Sequence, residues 1–342
     1  MDPISQGVLG AAAAQLTPHQ QHTPDAAHHP RSRLLIAGLV GAIAGMAPDM
    51  DVFIQSSTDP LLFLEYHRQF THSLIFIPFG AALCALFLHW FVRAYLSKGQ
   101  LYLLCLAGYA THALLDACTS YGTMLLWPFS DVRIAWNNVA VVDPAFTIPA
   151  IALLAIAILK QRRLFALCAF VWMISYLAFG VIQRDRALTA GKEWIAQRGH
   201  EAVRVEVKPS FGNLLLWKLV YEHDDTYYVD AIRTGWRITI ITGESAPKLD
   251  LTRHFQWLDP QSQQAGDIER FRWFSDDFLA LDPHHDHSIV DVRYSMVPNE
   301  IRGLWSIQLA PGAAADAHVD FLSFRNLPAH RRQKFFNMLL TD

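Results

Sequence analysis

The chain changes character near residue 184. Before it, apolar residues come in long unbroken runs; after it, they alternate with polar ones. Residues 73–92 and 164–183 contain no Asp, Glu, Lys or Arg. Each is close to the ~20 residues that a helix needs to cross a ~30 Å hydrocarbon core. Residues 101–115 and 144–159 are shorter apolar runs that reach spanning length by admitting one acid each, Asp116 and Asp143. Residues 34–48 carry Gly38, Gly41 and Gly45, a small-residue spacing that lets helices approach closely. Residues 4–16 are Gly- and Ala-rich, too short to span, and without the basic start and cleavage pattern of a removed leader, which predicts a retained helix packed on the bundle.

Downstream, residues 203–207, 227–232 and 237–241 alternate β-branched or aromatic residues with polar ones, and turn-forming segments at 209–213 and 223–226 separate them. This predicts half-buried strands. Residues 328–340 return to helical spacing, and 17–33 read as a polar, His-rich loop. The expected fold is an α-helical transmembrane bundle of about five spanning helices plus a short N-terminal helix (1–184), followed by a mostly β extramembrane domain (185–342).

Charge orients this arrangement. Arg31 and Arg33, Arg93 and Lys98, and Lys160, Arg162 and Arg163 mark alternate loops. The positive-inside rule places those loops in the cytoplasm and the C-terminal domain in the periplasm of a bacterial inner membrane. A composition of 52% hydrophobic and 17% charged residues excludes a disordered or wholly aqueous chain. The net charge of −3, with no dense Lys/Arg cluster, argues against a nucleic-acid partner and leaves the lipid bilayer as the partner. Cys84, Cys105, Cys118 and Cys168 lie in apolar stretches without a CxxC, so they read as small buried hydrophobes.

Ionisable groups in membrane segments are expensive and mark function by default. Three motifs stand out. PDMD (48–51) ends an apolar helix with Asp49 and Asp51, which can offer both carboxylates to a cation. HRQFTHS (67–73) sets His67 and His72 before a spanning helix. His112 and Asp116 lie at i and i+4 on one face of an apolar helix. Taken singly, these also read as a solvated helix exit, an interfacial hydrogen-bonding pair and a helix-bridging His–Asp pair. The expected topology brings all three to the outer membrane face. Six N/O ligands without sulfur suit zinc, manganese, iron or a two-metal centre, which activates water near neutral pH. Thr119, Ser120 and Gly122 can donate to an anionic oxygen. Asp143 is a ligand, a general base or a helix cap. A second polar cluster, residues 282–287, is too crowded on adjacent positions for a preorganised site and reads as a loop.

PDMD, HRQFTHS and THALLDACTSYGTMLLWPFSD (111–131) together resemble the membrane-bound, predicted metal-dependent hydrolase family of YdjM-like inner-membrane proteins, over roughly residues 1–160. That resemblance implies Asp49, Asp51, His67, His72, His112 and Asp116 as metal and active-site residues, with Arg68 and Thr119 in support. One departure is Gln6, which stands where family members often carry a His. Either Asp2 substitutes, or this chain binds with one ligand fewer. The expected activity is a metal-dependent hydrolase holding one or two divalent transition metals, zinc foremost. It would act on an ester or phosphoester of a lipid or envelope component, with Asp116 or Asp143 as base or outer support and Arg68 holding an anionic group. The rival classes are a metal transporter or sensor and a non-enzymatic assembly factor.

Overall fold

The computed structural model describes residues 1–18 and 31–341, so residues 19–30 of the His-rich loop lie outside the described residues. The chain forms two compact units. The first comprises residues 1–53 and 66–181, and the second 54–65 and 182–342.

The first unit is helical. Helix α1 (Pro3–Leu16) is followed by α2 (Arg31–Met46), which tightens without a break into a 3₁₀ turn (Ala47–Phe53). A short α3 (Leu62–Tyr66) and two 3₁₀ turns, Phe70–His72 and Leu74–Phe76, lead into α4 (Ile77–Val92). Then come α5 (Lys98–Cys118), α6 (Pro144–Lys160) and α7 (Arg163–Gln197). Among the described residues, four helical segments are long and apolar enough to cross a membrane: Arg33–Phe53, Leu74–Val92, Lys98–Cys118 and Arg163–Gln197. The fifth expected span, α6, is apolar but shorter at 17 residues. Helix α4 leaves Leu83, Leu86, Phe87, Trp90 and Phe91 exposed, a surface that suits lipid and not water.

Helices α1, α2 and α5 meet through glycine. A β-carbon on Gly41 would lie 2.3 Å from the Ala14 β-carbon and 2.4 Å from the Gly10 carbonyl oxygen. One on Gly108 would lie 2.4 Å from the Gly41 carbonyl. Without a hydrophobic driving force between helices in lipid, such close backbone contact is the main source of association. Capping fixes where the helices begin. Ser97 and Gln100 form a reciprocal capping box on α5, and Asp143 caps α6.

The second unit is mostly antiparallel sheet. Strands β1 (Arg204–Pro209), β2 (Leu216–His223), β3 (Thr226–Thr234) and β4 (Ile238–Ile241) are neighbours in that order, and β5 (Ser245–Pro247) also pairs with β3. The β2–β3 connection is the tight turn read at 223–226. Asp224 and Asp225 both have positive φ, the two-residue geometry whose twist matches the strands. Short helices α8 (Leu251–His254) and α9 (Gln263–Phe274) precede a second sheet in the order β6 (Leu279–Leu281), β7 (Ser288–Asp291), β8 (Trp305–Gln308) and β9 (Asp320–Ser323). Helix α10 (Ala329–Leu340) closes the described chain. Val220, Tyr227 and Val229 from the first sheet share one core with Phe278, Ala280, Val290 and Val292 from the second sheet and its flanks.

Helix α7 runs on to Gln197, past the point where its apolar signal stops. Its second half packs on the first sheet: Trp194 Nε1 donates to Asp230 Oδ2 at 3.1 Å, and Gly191 lies against Leu219 and Ile232.

Two outcomes follow from this packing. Gly41→Ala inserts a methyl group where backbone already sits and should cost about 1–3 kcal/mol. Gly99→Ala, which meets nothing within 4 Å, should gain up to about 1 kcal/mol. Thermal midpoints in one detergent separate the two. The second concerns Lys218, whose amine donates to Ser295 Oγ at 2.9 Å and the Glu300 carbonyl at 2.8 Å. Burial lowers its pKa to about 7 from the usual 10.5. Between those values the unfolded chain binds a proton that the folded chain does not, so folded stability rises with pH through that window. Lys218→Met should therefore gain most over the wild type at pH 7 and lose that gain towards pH 10, as a difference of midpoints.

Candidate metal centre

The 3₁₀ turn separates the two carboxylates of PDMD. At three residues per turn, positions two apart point in different directions. Asp49 turns towards His72 and His112, whereas Asp51 turns towards His67 and the far side of His72.

Asp49 Oδ1 lies 3.5 Å from His72 Nε2 and 3.4 Å from His112 Nε2. Asp116 Oδ2 lies 3.3 Å from the first and 3.8 Å from the second. The two Nε2 atoms are 2.9 Å apart. A tetrahedral ion with N/O ligands at 2.0–2.1 Å requires donor atoms about 3.3 Å from one another. The five separations above, 2.9 to 3.8 Å, bracket that spacing. Asp116 Oδ2 is buried and receives no aligned hydrogen bond, with the Arg68 Nε 3.0 Å away. Asp49, Asp51 and His67 form a second group with ligand-compatible spacing, so Asp49 belongs to both. All six ligands proposed from the sequence motifs come together.

Neighbouring groups aim the ligands. His112 Nδ1 donates to the Gly45 carbonyl at 2.6 Å, leaving Nε2 as the free ring nitrogen. His72 Nδ1 lies 3.1 Å from Asp51 Oδ2 and 2.9 Å from Thr71 Oγ1, and the Thr71 hydroxyl donates to Asp51 Oδ2 at 2.8 Å. Tyr109 in turn donates to the Thr71 carbonyl at 2.8 Å. Burial alone would lower the pKa of the His72 imidazole. The carboxylates of Asp116, Asp49 and Asp51 around it outweigh that and raise the value to about 10. A cation entering between the imidazoles must displace that proton.

Arg68 has a left-handed backbone, φ 66°, which lets one residue serve several neighbours. Its amide donates to Asp51 Oδ2 at 2.9 Å, its Nε pairs with Asp116 Oδ2 at 3.0 Å, and its Nη1 donates to Thr119 Oγ1 at 3.1 Å. The guanidinium also lies over the Tyr121 ring. Thr119 donates to the Asp116 carbonyl at 2.7 Å.

Asp143 belongs to neither ligand group among the described residues. One oxygen caps α6 through the amides of Ala145 and Phe146, and the other accepts from Tyr176 at 2.8 Å. Asp2 caps α1. Gln6 Nε2 donates to Asp116 Oδ1 at 2.8 Å, so the amide braces a ligand. Sequence reasoning missed the Gly45 carbonyl, the Thr71 hydroxyl as an aiming group, and Tyr109. The ligand exposures give the site one wet edge: Asp49 and His67 side chains are 17% and 29% exposed, while those of Asp51, His72, His112 and Asp116 are fully buried.

Removing the aiming bonds without removing a ligand should weaken metal retention. Thr71→Val is expected to lower affinity roughly 10- to 100-fold, read by competition against a chelator in detergent, with the fold intact by circular dichroism.

Comparison with known proteins finds a family model on the membrane half and a relative along most of the chain. No solved structure matches the chain. A curated relative described as "Uncharacterized protein YfhP", from Bacillus subtilis (strain 168), is 23% identical over 304 residues, which is 86% of this chain and 87% of the relative. The family model described as "YdjM inner membrane protein" matches residues 1–187. The match takes in the glycine-packed helices and every residue of both candidate ligand groups, and the chain belongs to the YdjM inner-membrane protein family.

Proposed function

We propose that this protein is an integral membrane, metal-dependent hydrolase that cleaves an ester or phosphoester bond of a lipid or envelope component. The observation that carries this reading is the spacing of the four donor atoms of Asp49, His72, His112 and Asp116, with Asp49 shared by the second group of Asp51 and His67. Two adjoining sites joined by one carboxylate suit a pair of divalent transition metals, zinc foremost by its ligand preferences. When bound, such a pair supplies activated water and polarises a carbonyl or phosphoryl oxygen.

The chain's own residues then have assigned work. Arg68 balances the Asp116 charge and braces Thr119, so it acts by positioning a ligand. His67, paired to Asp51 through Nδ1 at 2.7 Å, stands at the wet edge where a substrate enters and a proton leaves. The lipid reading rests on location: four ligands come from apolar segments at their ends or within them, and a soluble substrate would need no site there. The orientation rests on loop charge and places the wet edge and the C-terminal domain on the periplasmic side.

Elemental mass spectrometry on detergent-purified protein tests the shared-ligand arrangement. Wild type should hold two ions, Asp49→Ala none, His67→Ala one, and His112→Ala at most one, each at matched folding. No metal in folded wild type after reconstitution would end the reading. Metal-loaded wild type incubated with a membrane lipid extract should release a product that Asp49→Ala does not, read by mass spectrometry. A reporter fused after Asp342 should work only outside the cytoplasm.

A further inference from the structure

The apolar run of α7 ends at Ile182, and the sheet domain is tied to the very next turn. Phe179 and Ile182 are still exposed as a lipid-facing surface, whereas Gln183 is buried. The Gln183 amide donates to the carbonyls of Thr234 at 2.9 Å and Leu214 at 3.2 Å. Arg186 donates to the Gly235 carbonyl at 2.7 Å. These bonds pin two neighbouring connections at one end of the first sheet, 210–215 and 235–237, beside residues 183–186. At 1.5 Å per residue, Arg186 lies only about 6 Å beyond Ile182 along the helix. The headgroup layer on one side of a bilayer is about 5–8 Å thick. A span that ends at Ile182 therefore holds this tip at headgroup depth.

The side chains there suit that depth. Trp236 stands free of the protein surface, 106% exposed, and Phe211, Leu215 and Ile238 are also exposed. A cluster of this kind in open water is unfavourable, and an aromatic ring at the interface is the usual remedy. Arg184, Arg186 and Arg237 lie on the same segments and Arg233 at the adjoining end of β3, against one acid, Asp185, which pairs with Arg184 at 2.7 Å. An open hollow of about 510 Å³ is lined by Leu215, Arg233, Trp236, Arg237, Thr239 and Leu340. Arg233 is buried and donates to the Thr341 carbonyl and Thr239 Oγ1. Arg237 is exposed beside apolar side chains, a combination that matches a phosphate with its acyl chains.

We propose that this tip is a lipid-docking surface: Trp236, Phe211 and Leu215 seat in the interfacial layer of the membrane that α7 crosses, and the hollow beside Arg237 takes the phosphate of an anionic phospholipid. The second unit is thereby held against the bilayer at two places, α7 and the tip. The inference depends on α7 being a span and is independent of the metal centre and its chemistry.

The full chain in nanodiscs tests it. The fluorescence difference between wild type and Trp236→Phe isolates Trp236. In discs whose acyl chains carry bromine near the glycerol end, that difference signal should lose at least half its intensity, and aqueous iodide should quench it little. A signal open to iodide and indifferent to bromine would overturn the proposal. So would a signal shielded from both, which would place a protein partner or a second copy on the tip. For the headgroup, wild type in discs with phosphatidylglycerol should melt about 2–4 °C above wild type in phosphatidylcholine discs. Arg237→Gln should abolish most of that shift, and inorganic phosphate added to phosphatidylcholine discs should not reproduce it. Equal midpoints in the two lipids, or full reproduction by phosphate, would overturn the anionic-lipid site.

Discussion

A carbonyl oxygen stands where a side chain would otherwise be. The approach of Gly41 to Gly10 and Gly108 brings α1, α2 and α5 together at backbone distance, and the rest of the membrane half depends on it. Only at that distance does the Gly45 carbonyl reach His112 Nδ1, which fixes the tautomer and turns Nε2 towards His72. Only there can Gln6, on α1, touch Asp116 on α5. Packing of small residues is thus the cause of ligand geometry.

The centre built on this contact concentrates charge where charge is costly. Burying carboxylates and imidazoles away from water is tolerated only when each finds a partner or a cation. Here almost every polar atom has one: Asp51 serves His67, Thr71 and the Arg68 amide, while Asp116 Oδ1 accepts from Gln6. The exceptions are Gln6 Oε1, Arg68 Nε and Asp116 Oδ2, the last of which faces two imidazoles and one guanidinium without an aligned hydrogen. The unusual backbone of Arg68 serves the same end, because a left-handed residue directs its amide to one ligand and its side chain to another.

Residues 54–65, which separate Asp51 from His67 in the chain, belong to the second unit. Within the unit that segment is held firmly: Arg270 pairs with Asp59 at 2.8 Å and with Glu65, and Phe63 packs edge-on against Phe321. Such networks of several charges contribute where isolated surface pairs do not. The loop between two ligand motifs is therefore an ordered part of the β domain.

The residues of the candidate site were legible in the sequence because ionisable groups in apolar runs are conspicuous. Asp49, Asp51, His67, His72, His112 and Asp116 needed no structure to be named. The spans were legible from hydropathy, and β1, β3 and β4 from alternation. The groups that aim the ligands were not. A glycine carbonyl, a threonine hydroxyl and a glutamine amide look the same in a sequence whether they touch a histidine or water. The course of α7 was also hidden, since residues 184–197 lose the apolar signal that marks a span, and helix there depends on packing against β2 and β3. By itself the sequence determined which residues are costly to bury and which segments must be helix or strand, because both follow from local hydropathy. Tertiary structure alone decided that Asp49 faces one cluster and Asp51 another, that Asp143 caps a helix, and that Arg68 braces Asp116, because those outcomes turn on distances between segments far apart in the chain.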